Sequence, residues 1–207
     1  MTITLQNISK RYNYHWIFRN IDFVFETGKK YALTGPNGSG KSTLLRILSG
    51  NLSPSEGKIV FSDTLKNIPS DEVYQYVSYS APYLELIEDF TLSEAIQFHF
   101  RFKKLQQGIR MEDVADILEL NLHVKKFLKD FSSGMKQRVK LGFAVLSDTP
   151  IMLLDEPSTN LDRNSVEWYL NLVKKYTTER LLVIASNMQR EYAFCDTEID
   201  IETYKCS

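Results

Sequence analysis

Continuous apolar runs and stretches of helical periodicity alternate along this chain of 207 residues. The runs at 151–154 and 181–185 contain only apolar residues, as is typical of parallel strands that are buried on both faces. Nearer the N-terminus, 3–7 and 21–25 read as short strands separated by turns that contain Asp and Asn. The pattern predicts an α/β fold, in which strands alternate with helices in both outer thirds of the chain.

Helical spacing of apolar residues dominates the middle of the chain. The sequence Thr91-Leu-Ser-Glu94 has the form of a capping box, which predicts a helix that begins after Thr91. Further apolar stripes with helical spacing occur at 114–120 and 139–146. We therefore predict a single domain over 1–207, in which a helical lobe at 83–147 is inserted into a core formed by 1–82 and 148–207.

Composition is that of a soluble globular protein, with 43% hydrophobic residues, 25% charged residues and a net charge of −1. Lys and Arg occur in isolated pairs rather than in a stripe, so no nucleic acid is expected as a partner. No apolar run approaches the roughly 20 residues of a membrane span. The two cysteines, Cys195 and Cys206, lack the spacing of a metal site or disulfide framework, which fits a reducing cytoplasm.

The segment 35–42 reads GPNGSGKS and fits the phosphate-loop pattern G-x-x-x-x-G-K-[ST]. It follows an apolar run and precedes a helix-like segment, which is the context that the motif requires. Backbone N–H groups of such a loop bind phosphate oxygens, Lys41 can reach the outer phosphates, and the Ser42 hydroxyl can ligate Mg²⁺. The predicted ligand is a nucleoside triphosphate. Its candidate binding residues here are Gly35, Pro36, Asn37, Gly38, Ser39, Gly40, Lys41, Ser42 and Thr43.

Two adjacent carboxylates, Asp155 and Glu156, follow the apolar run at 151–154. In open α/β sheets, ligands bind at the carboxyl ends of the strands. Asp155 is placed to hold Mg²⁺ through its water shell, and Glu156 to polarise an attacking water. An acidic pair after an apolar run is equally typical of a surface turn, and the phosphate loop upstream favours the catalytic interpretation.

A third candidate segment, 131–138, reads FSSGMKQR and precedes a helix-like stretch. Ser-Ser-Gly at a helix start offers a hydroxyl and free backbone N–H groups, which can bind an anion. The alternative is a plain helix cap.

Taken in order, the phosphate loop, the Ser-Ser-Gly segment, the acidic pair and the sequence STNLD at 158–162 resemble the ATP-binding-cassette (ABC) ATPases. The resemblance extends from Tyr12 to Asn187 and is that of a small stand-alone nucleotide-binding domain of a transporter. It implies a P-loop NTPase core with a mostly parallel sheet and flanking helices, an N-terminal antiparallel β-subdomain and an inserted helical subdomain. The implied cofactors are ATP and Mg²⁺, with Ser42 and Asp155 as the metal ligands.

The resemblance also implies roles for residues outside these motifs. It places Tyr12 against adenine, although Tyr14 and Trp16 lie close by in the sequence. It matches 131–135 to the family signature LSGGQ and 158–162 to the loop that meets the partner subunit. The further nucleotide contacts that it implies are Ser132, Ser133, Gly134 and Asp162.

The family architecture implies that this chain works with other subunits. Two ABC ATPase subunits, identical or different, would bind ATP between the phosphate loop of one and the signature of the other. A separate transmembrane permease would hold the pair at the cytosolic face of the membrane, so that ATP-driven closure powers transport. The apolar segment at 82–87 either docks onto that permease or packs against the helical lobe.

Two positions depart from the family pattern. Pro82 stands at about the place of a Gln that touches Mg²⁺, and Asn187 stands where a His contacts the γ-phosphate. Pro cannot ligate a metal, and Asn has an N–H donor but cannot become cationic. We therefore expect slow, partner-dependent hydrolysis with Glu156 and Asn187 as candidate catalytic residues. The alternative is a regulatory or degenerate cassette with little hydrolysis of its own.

Overall fold

Two separate sheets organise the strands in the computed structural model, which describes residues 1–63 and 66–205. Cys206 lies outside the described residues. The strands are β1 (Thr2–Tyr12), β2 (His15–Glu26), β3 (Lys30–Thr34), β4 (Glu56–Asp63), β5 (Lys66–Ile68), β6 (Val77–Ser80), β7 (Ile151–Asp155), β8 (Leu181–Ala185) and β9 (Thr197–Asp200). The helices are α1 (Lys41–Leu48), α2 (Leu92–Phe102), α3 (Val114–Ile117), α4 (Ser133–Leu146), α5 (Arg163–Tyr176) and α6 (Gln189–Tyr192).

The described residues divide into two compact units. The sheet unit comprises those of Met1–Tyr79, Pro150–Glu156 and Glu179–Ser207, and the helical unit comprises Ser80–Thr149 and Pro157–Thr178. The helical unit includes α5, which the sequence-based division at 147 assigns to the core.

One sheet of the sheet unit is antiparallel, with the strand order β2-β1-β4-β5. Strands β1 and β2 form one long hairpin, although the sequence predicts only short strands at 3–7 and 21–25. The hydrophobic alternation breaks because the pairing register shifts between Leu5 and Ile8, next to Asn7, whose φ is 51°. Bulges of this kind interrupt the period of two without ending the strand.

The other sheet has the order β6-β7-β8-β3-β9, and β3 pairs in parallel with both β8 and β9. Every residue of β7 and β8 is buried, which confirms the two parallel strands predicted from the continuous apolar runs. Because β3, β7 and β8 are parallel, Thr34 and Asp155 end their strands at the same edge of the sheet. The α/β fold with a mainly parallel sheet is confirmed.

Helices α3, α4 and α5 pack together in the helical unit. A Cβ atom added at Gly142 would lie 2.0 Å from Leu118 Cδ2, so α4 contacts the end of α3 closely at this glycine. The indole Nε1 of Trp168 on α5 donates to the Ile117 carbonyl at 2.9 Å. Helix α2 begins at the predicted capping box, where the Thr91 and Glu94 side chains each accept the other's backbone N–H. Among the described residues, no helix is both long and apolar enough to cross a bilayer.

A half-buried histidine, His99 on α2, makes the stability of the helical unit sensitive to acid. Its ring stacks on Phe143 at 4.3 Å between centroids, and its Nε2 lies 3.0 Å from Ser147 Oγ. The Ser147 hydroxyl donates to the Phe143 carbonyl, so it accepts from a neutral imidazole that is protonated at Nε2. Burial lowers the pKa of His99 to about 4.

We expect the free energy of unfolding to fall as the pH drops from about 6.5 towards 4, because protonation of His99 then favours the unfolded chain. The loss contributed by this group is up to about 3 kcal/mol. Urea unfolding at several pH values should reveal it. His99→Phe keeps an aromatic ring against Phe143 and should show a weaker pH dependence over this range. Equal pH dependence in both proteins would contradict the prediction.

Candidate nucleotide site

The phosphate loop connects β3 to α1 in the sheet unit. Gly40 precedes α1 with a φ of 108°, a conformation that side-chain-bearing residues rarely adopt. A Cβ atom at Gly40 would lie 2.5 Å from Ile17 Cγ2 on β2. Glycine is thus required both by the backbone turn and by the close approach of β2.

The side chain of Lys41, the first residue of α1, lies against the start of the phosphate loop. Its Nζ donates to the carbonyls of Gly35 at 2.6 Å and Pro36 at 3.1 Å. Burial lowers the pKa of Lys41, and the nearby charges of Glu156 and Asp155 oppose that shift. The ammonium group is therefore held by backbone oxygens that phosphate oxygens can replace.

Ser42 and Asp155 meet although they are far apart in sequence. The Ser42 hydroxyl donates to Asp155 Oδ1 at 3.0 Å. Asp155 is buried, and its Oδ2 has no hydrogen-bond partner among the described residues. Burial, reinforced by the charge of Glu156, raises the pKa of Asp155 to about 6. A buried carboxylate oxygen without a partner beside a hydroxyl fits a hard divalent cation, which takes oxygen ligands.

Glu156 follows Asp155 at the end of β7 and has a φ of 41°. Its backbone N–H donates to the Ala185 carbonyl of β8 at 2.8 Å, which fixes the turn. With Lys41 and Ser42, it lines a cavity of about 290 Å³. The other lining residues are Ile17, Asn37, Gly38, Gly40 and Thr43.

Asn187, which follows β8, reaches the phosphate loop. Its Nδ2 donates to Asn37 Oδ1 at 2.6 Å. The structure thus brings Asn187 to the loop, where one of its two amide N–H groups bonds to a loop side chain.

Tyr12 lies on the face of the β1–β2 hairpin that meets the phosphate loop. Lys10 and Tyr12 share one face of β1, and Phe18 shares it because it pairs with Lys10. A Cβ atom at Gly40 would lie 3.0 Å from Phe18 Cδ1, so this is the face that approaches the loop. Tyr12 is 44% exposed, which leaves room for a stacking partner.

Trp16 lies on the opposite face of the hairpin, since it pairs with Arg11. The guanidinium groups of Arg11 and Arg19 lie 5.3 and 4.6 Å from its ring centre, which makes two cation–π contacts. Tyr14 occupies the turn of the hairpin with its side chain almost fully exposed. Of the three aromatic candidates, Tyr12 is the one on the face of the hairpin that approaches the phosphate loop.

The remaining candidate residues belong to the helical unit. The Ser132 hydroxyl accepts the Met135 N–H at 3.2 Å and caps α4, whose first two residues are Ser133 and Gly134. Asp162 caps α5 by accepting the Ser165 N–H at 2.8 Å, and this bonding to Ser165 lowers the pKa of Asp162. Ser132 is therefore the predicted helix cap, Asp162 is a second cap, and both cap residues are exposed.

Lys140 on α4 binds the segment at Pro82, which sequence reasoning did not detect. Its Nζ donates to the Pro82 carbonyl at 2.8 Å and lies 3.5 Å from the Ala81 carbonyl. A lysine in an amphipathic helix carries no signal for such a contact. The sequence also did not indicate Ile17 as a residue that lines the cavity. It lies opposite the register shift between Lys10 and Arg11, where the alternation of apolar and polar residues is interrupted.

Fold and site together define a P-loop protein: a strand–loop–helix phosphate cradle with an acidic pair at the carboxyl edge of a parallel strand. Comparison with known families is consistent with this class. The family model described as "ABC transporter" matches residues 18–159. The chain belongs to the ABC transporter family.

Similar proteins include two import ATP-binding proteins. The chain is 29% identical over 212 residues to the ribose import ATP-binding protein RbsA of Bacillus cereus, covering 95% of this chain and 42% of that protein. It is 31% identical over 209 residues to the glucose import ATP-binding protein GlcV of Saccharolobus solfataricus, covering 94% and 58%. The chain thus spans only about half the length of these relatives.

The fold matches that of solved cassettes. A dimeric structure of a post-hydrolysis state of the ATP-binding cassette MJ0796, bound to ADP and Pi, superposes with a TM-score of 0.84. The two chains are 22% identical, and the match covers 99% of this chain and 96% of the other.

Proposed function

We propose that this chain is the ATP-binding and ATP-hydrolysing subunit of a membrane transporter, and that it works by ATP-driven closure of a dimer. The observation that carries the proposal is the convergence of Lys41, Ser42 and Glu156 on one cavity, with Asp155 bonded to Ser42. The names of the relatives RbsA and GlcV, both import ATP-binding proteins, support it.

ATP would bind with its outer phosphates on the backbone N–H groups of the loop and the first turn of α1. Lys41 would exchange its carbonyl partners for phosphate oxygens, and Tyr12 would stack on adenine. Ser42 and Asp155 would hold Mg²⁺, which neutralises charge on the phosphates when bound. Glu156 would accept a hydrogen bond from the attacking water and draw off its proton. Asn187 would orient the loop through Asn37.

A second ABC ATPase subunit, identical to this one or different, would complete each site. Ser132, Ser133 and Gly134 at the exposed start of α4, together with Asp162, would contact the nucleotide bound by the partner. Free N–H groups at a helix start suit a phosphate. The dimeric state in which the similar cassette MJ0796 was solved supports this arrangement.

A separate transmembrane permease would hold this dimer at the cytosolic face of the membrane. The side chains of Tyr83 and Ile87 are 52% and 48% exposed, so much of the apolar segment after Pro82 stays uncovered within the chain. This exposure favours docking over internal packing as the role of the segment.

The two departures from the family pattern favour slow turnover. One of the two amide N–H groups of Asn187 bonds to Asn37, and the Pro82 carbonyl accepts from Lys140. Pro82 has no side-chain ligand for a metal, and the Asn187 amide cannot carry the positive charge of a protonated His. A regulatory cassette with little hydrolysis is therefore the second candidate function.

Asn187→His should raise the turnover of ATP by about ten- to a hundredfold, since imidazole is longer and can carry a positive charge towards the γ-phosphate. Steady-state hydrolysis by the purified proteins measures the effect. Asn187→Gln serves as control, because it lengthens the side chain without adding charge. The proposal of slow turnover is wrong if the wild-type chain already hydrolyses ATP at about 10 s⁻¹, the enzyme median, and Asn187→His does not increase this rate.

Hydrolysis of ATP by the purified chain, measured with Mg²⁺ and with a chelator, tests the proposed function. Turnover that requires Mg²⁺ is expected, together with co-purification of a hydrophobic membrane subunit from the native membrane. Binding of ATP without turnover would favour the regulatory function. Failure to bind ATP would overturn both.

A further inference from the structure

Gln137, on the second turn of α4, is a fully buried amide with one hydrogen bond. Its Nε2 donates to the Pro157 carbonyl at 2.9 Å, and both residues belong to the helical unit. Its Oε1 is also buried and has no hydrogen-bond partner among the described residues. A side chain that leaves half of its polar group unsatisfied is a poor choice for core packing alone. The bond to Pro157 is therefore the specific contact that this buried amide provides.

The contact holds the first residue of a loop, 157–162, that lies against α4. A Cβ atom at Gly134 would lie 3.0 Å from the Asn160 carbonyl, so α4 also touches the middle of this loop. Beyond the loop, the Arg138 guanidinium donates to Ser165 Oγ at 2.8 Å. Three positions on the first half of α4 thus fix the start and middle of the loop and the helix that follows it.

The residue bonded to Pro157 is Glu156, whose backbone is strained. Its φ of 41° lies in the left-handed region, which L residues with a side chain avoid. Such conformations persist only where the surroundings over-determine them. On one side, the Glu156 N–H is held by the Ala185 carbonyl at 2.8 Å.

Pro157, which follows Glu156, can accept a backbone hydrogen bond but cannot donate one. It has no N–H, so its carbonyl is the backbone group through which a hydrogen bond can fix the next peptide. That carbonyl is the acceptor of the Gln137 amide. The proline ring fixes φ of Pro157, and this bond restricts rotation about its Cα–C bond, so the residue that follows Glu156 is held in place.

We propose that Gln137 is a positioning residue for nucleotide hydrolysis: by holding the Pro157 carbonyl, it fixes the backbone that aims the Glu156 carboxylate. The proposal rests on the proposed function, in which Glu156 polarises the attacking water. Gln137 itself touches neither the nucleotide nor the water. Its effect should therefore appear in the chemical step and leave ATP binding unchanged.

Gln137→Met, which keeps the length of the side chain and removes the donor, tests this proposal. We expect kcat for ATP to fall by about ten- to a hundredfold with KM unchanged within about twofold, as for a small misplacement of a reacting group. Affinity for a fluorescent ATP analogue, measured in the Glu156→Gln background, should stay unchanged.

Gln106→Met is the matched control. Gln106 is another amide of the helical unit, and its Nε2 donates to the carbonyls of Val145 at 2.6 Å and Tyr176 at 3.2 Å. Its loss should destabilise the same unit without touching the loop at 157–162. Melting temperatures of both variants compare the structural effects.

The outcomes distinguish failure of the positioning role from failure of the proposed function. A selective loss of kcat in Gln137→Met, with Gln106→Met near wild type, supports the positioning role. Equal kcat losses in both variants, a parallel loss of ATP binding, or wild-type turnover in Gln137→Met would overturn it and leave the proposed function intact. A wild-type chain that does not hydrolyse ATP would overturn the proposed function and this inference with it.

Discussion

Glu156→Gln should reduce ATP turnover by about a hundredfold to ten-thousandfold and leave ATP binding intact. Glutamine has nearly the same shape as glutamate but cannot accept a proton from water, so only the chemical step is lost. The cavity lined by Lys41 and Ser42 keeps its form, because the backbone N–H of residue 156 still bonds to the Ala185 carbonyl. Steady-state release of phosphate measures the first effect, and equilibrium dialysis with ATP measures the second.

The same substitution should accumulate the closed dimer, since ATP that is bound but not cleaved keeps both subunits engaged. Gel filtration with ATP and with ADP compares the two states. Glu167→Gln, at an exposed position on α5, removes one negative charge without entering the cavity and should behave like the wild type. Full turnover in Glu156→Gln would mean that this carboxylate does not act on the water.

Lys41→Met should weaken ATP binding by about ten- to a hundredfold, the value of charge-assisted hydrogen bonds to phosphate oxygens. Affinity for AMP should change little, because AMP lacks the outer phosphates that Lys41 reaches. Titration calorimetry with both nucleotides separates a lost phosphate contact from a damaged loop. A parallel loss of AMP affinity would point to the second cause.

A control variant must remove the charge of a lysine that lies outside the nucleotide site. Lys29→Met removes a lysine whose partner is the exposed Glu26, and it should leave both nucleotide affinities unchanged. The stability of Lys41→Met should fall only modestly. The carbonyls of Gly35 and Pro36 lose their donor, but the protein no longer buries an ammonium group whose pKa is already lowered by burial.

Features of this molecule that depend on a few neighbouring residues could be predicted from the sequence. The phosphate loop, the caps at Thr91 and Ser132 and the buried strands β7 and β8 are local patterns, and the structure contains them where they were expected. The long hairpin was underestimated because bulges break the alternation that marks a strand. Local chemistry identifies an element, but irregular backbone hides its length.

Contacts between distant segments were not predictable in the same way. The bond of Asn187 to Asn37 joins residues that are 150 positions apart, and nothing in either segment indicates the pairing. The hydrogen bond from Lys140 to the Pro82 carbonyl likewise depends on how α4 packs within its unit. A residue that departs from a family pattern can be recognised in the sequence, but its new partner requires the structure.

The chain contains two tryptophans, and the structure places one in each unit. Trp16 lies on the hairpin beside Arg11 and Arg19, whereas the Trp168 indole is buried and donates to the Ile117 carbonyl. Their emission spectra should differ, because the Trp16 ring is partly exposed between two cations and the Trp168 ring is shielded from water. A single Trp→Phe change at either position therefore leaves an intrinsic fluorophore that reports on one unit alone. Changes in the sheet unit and changes in the helical unit can then be followed separately in the unlabelled protein.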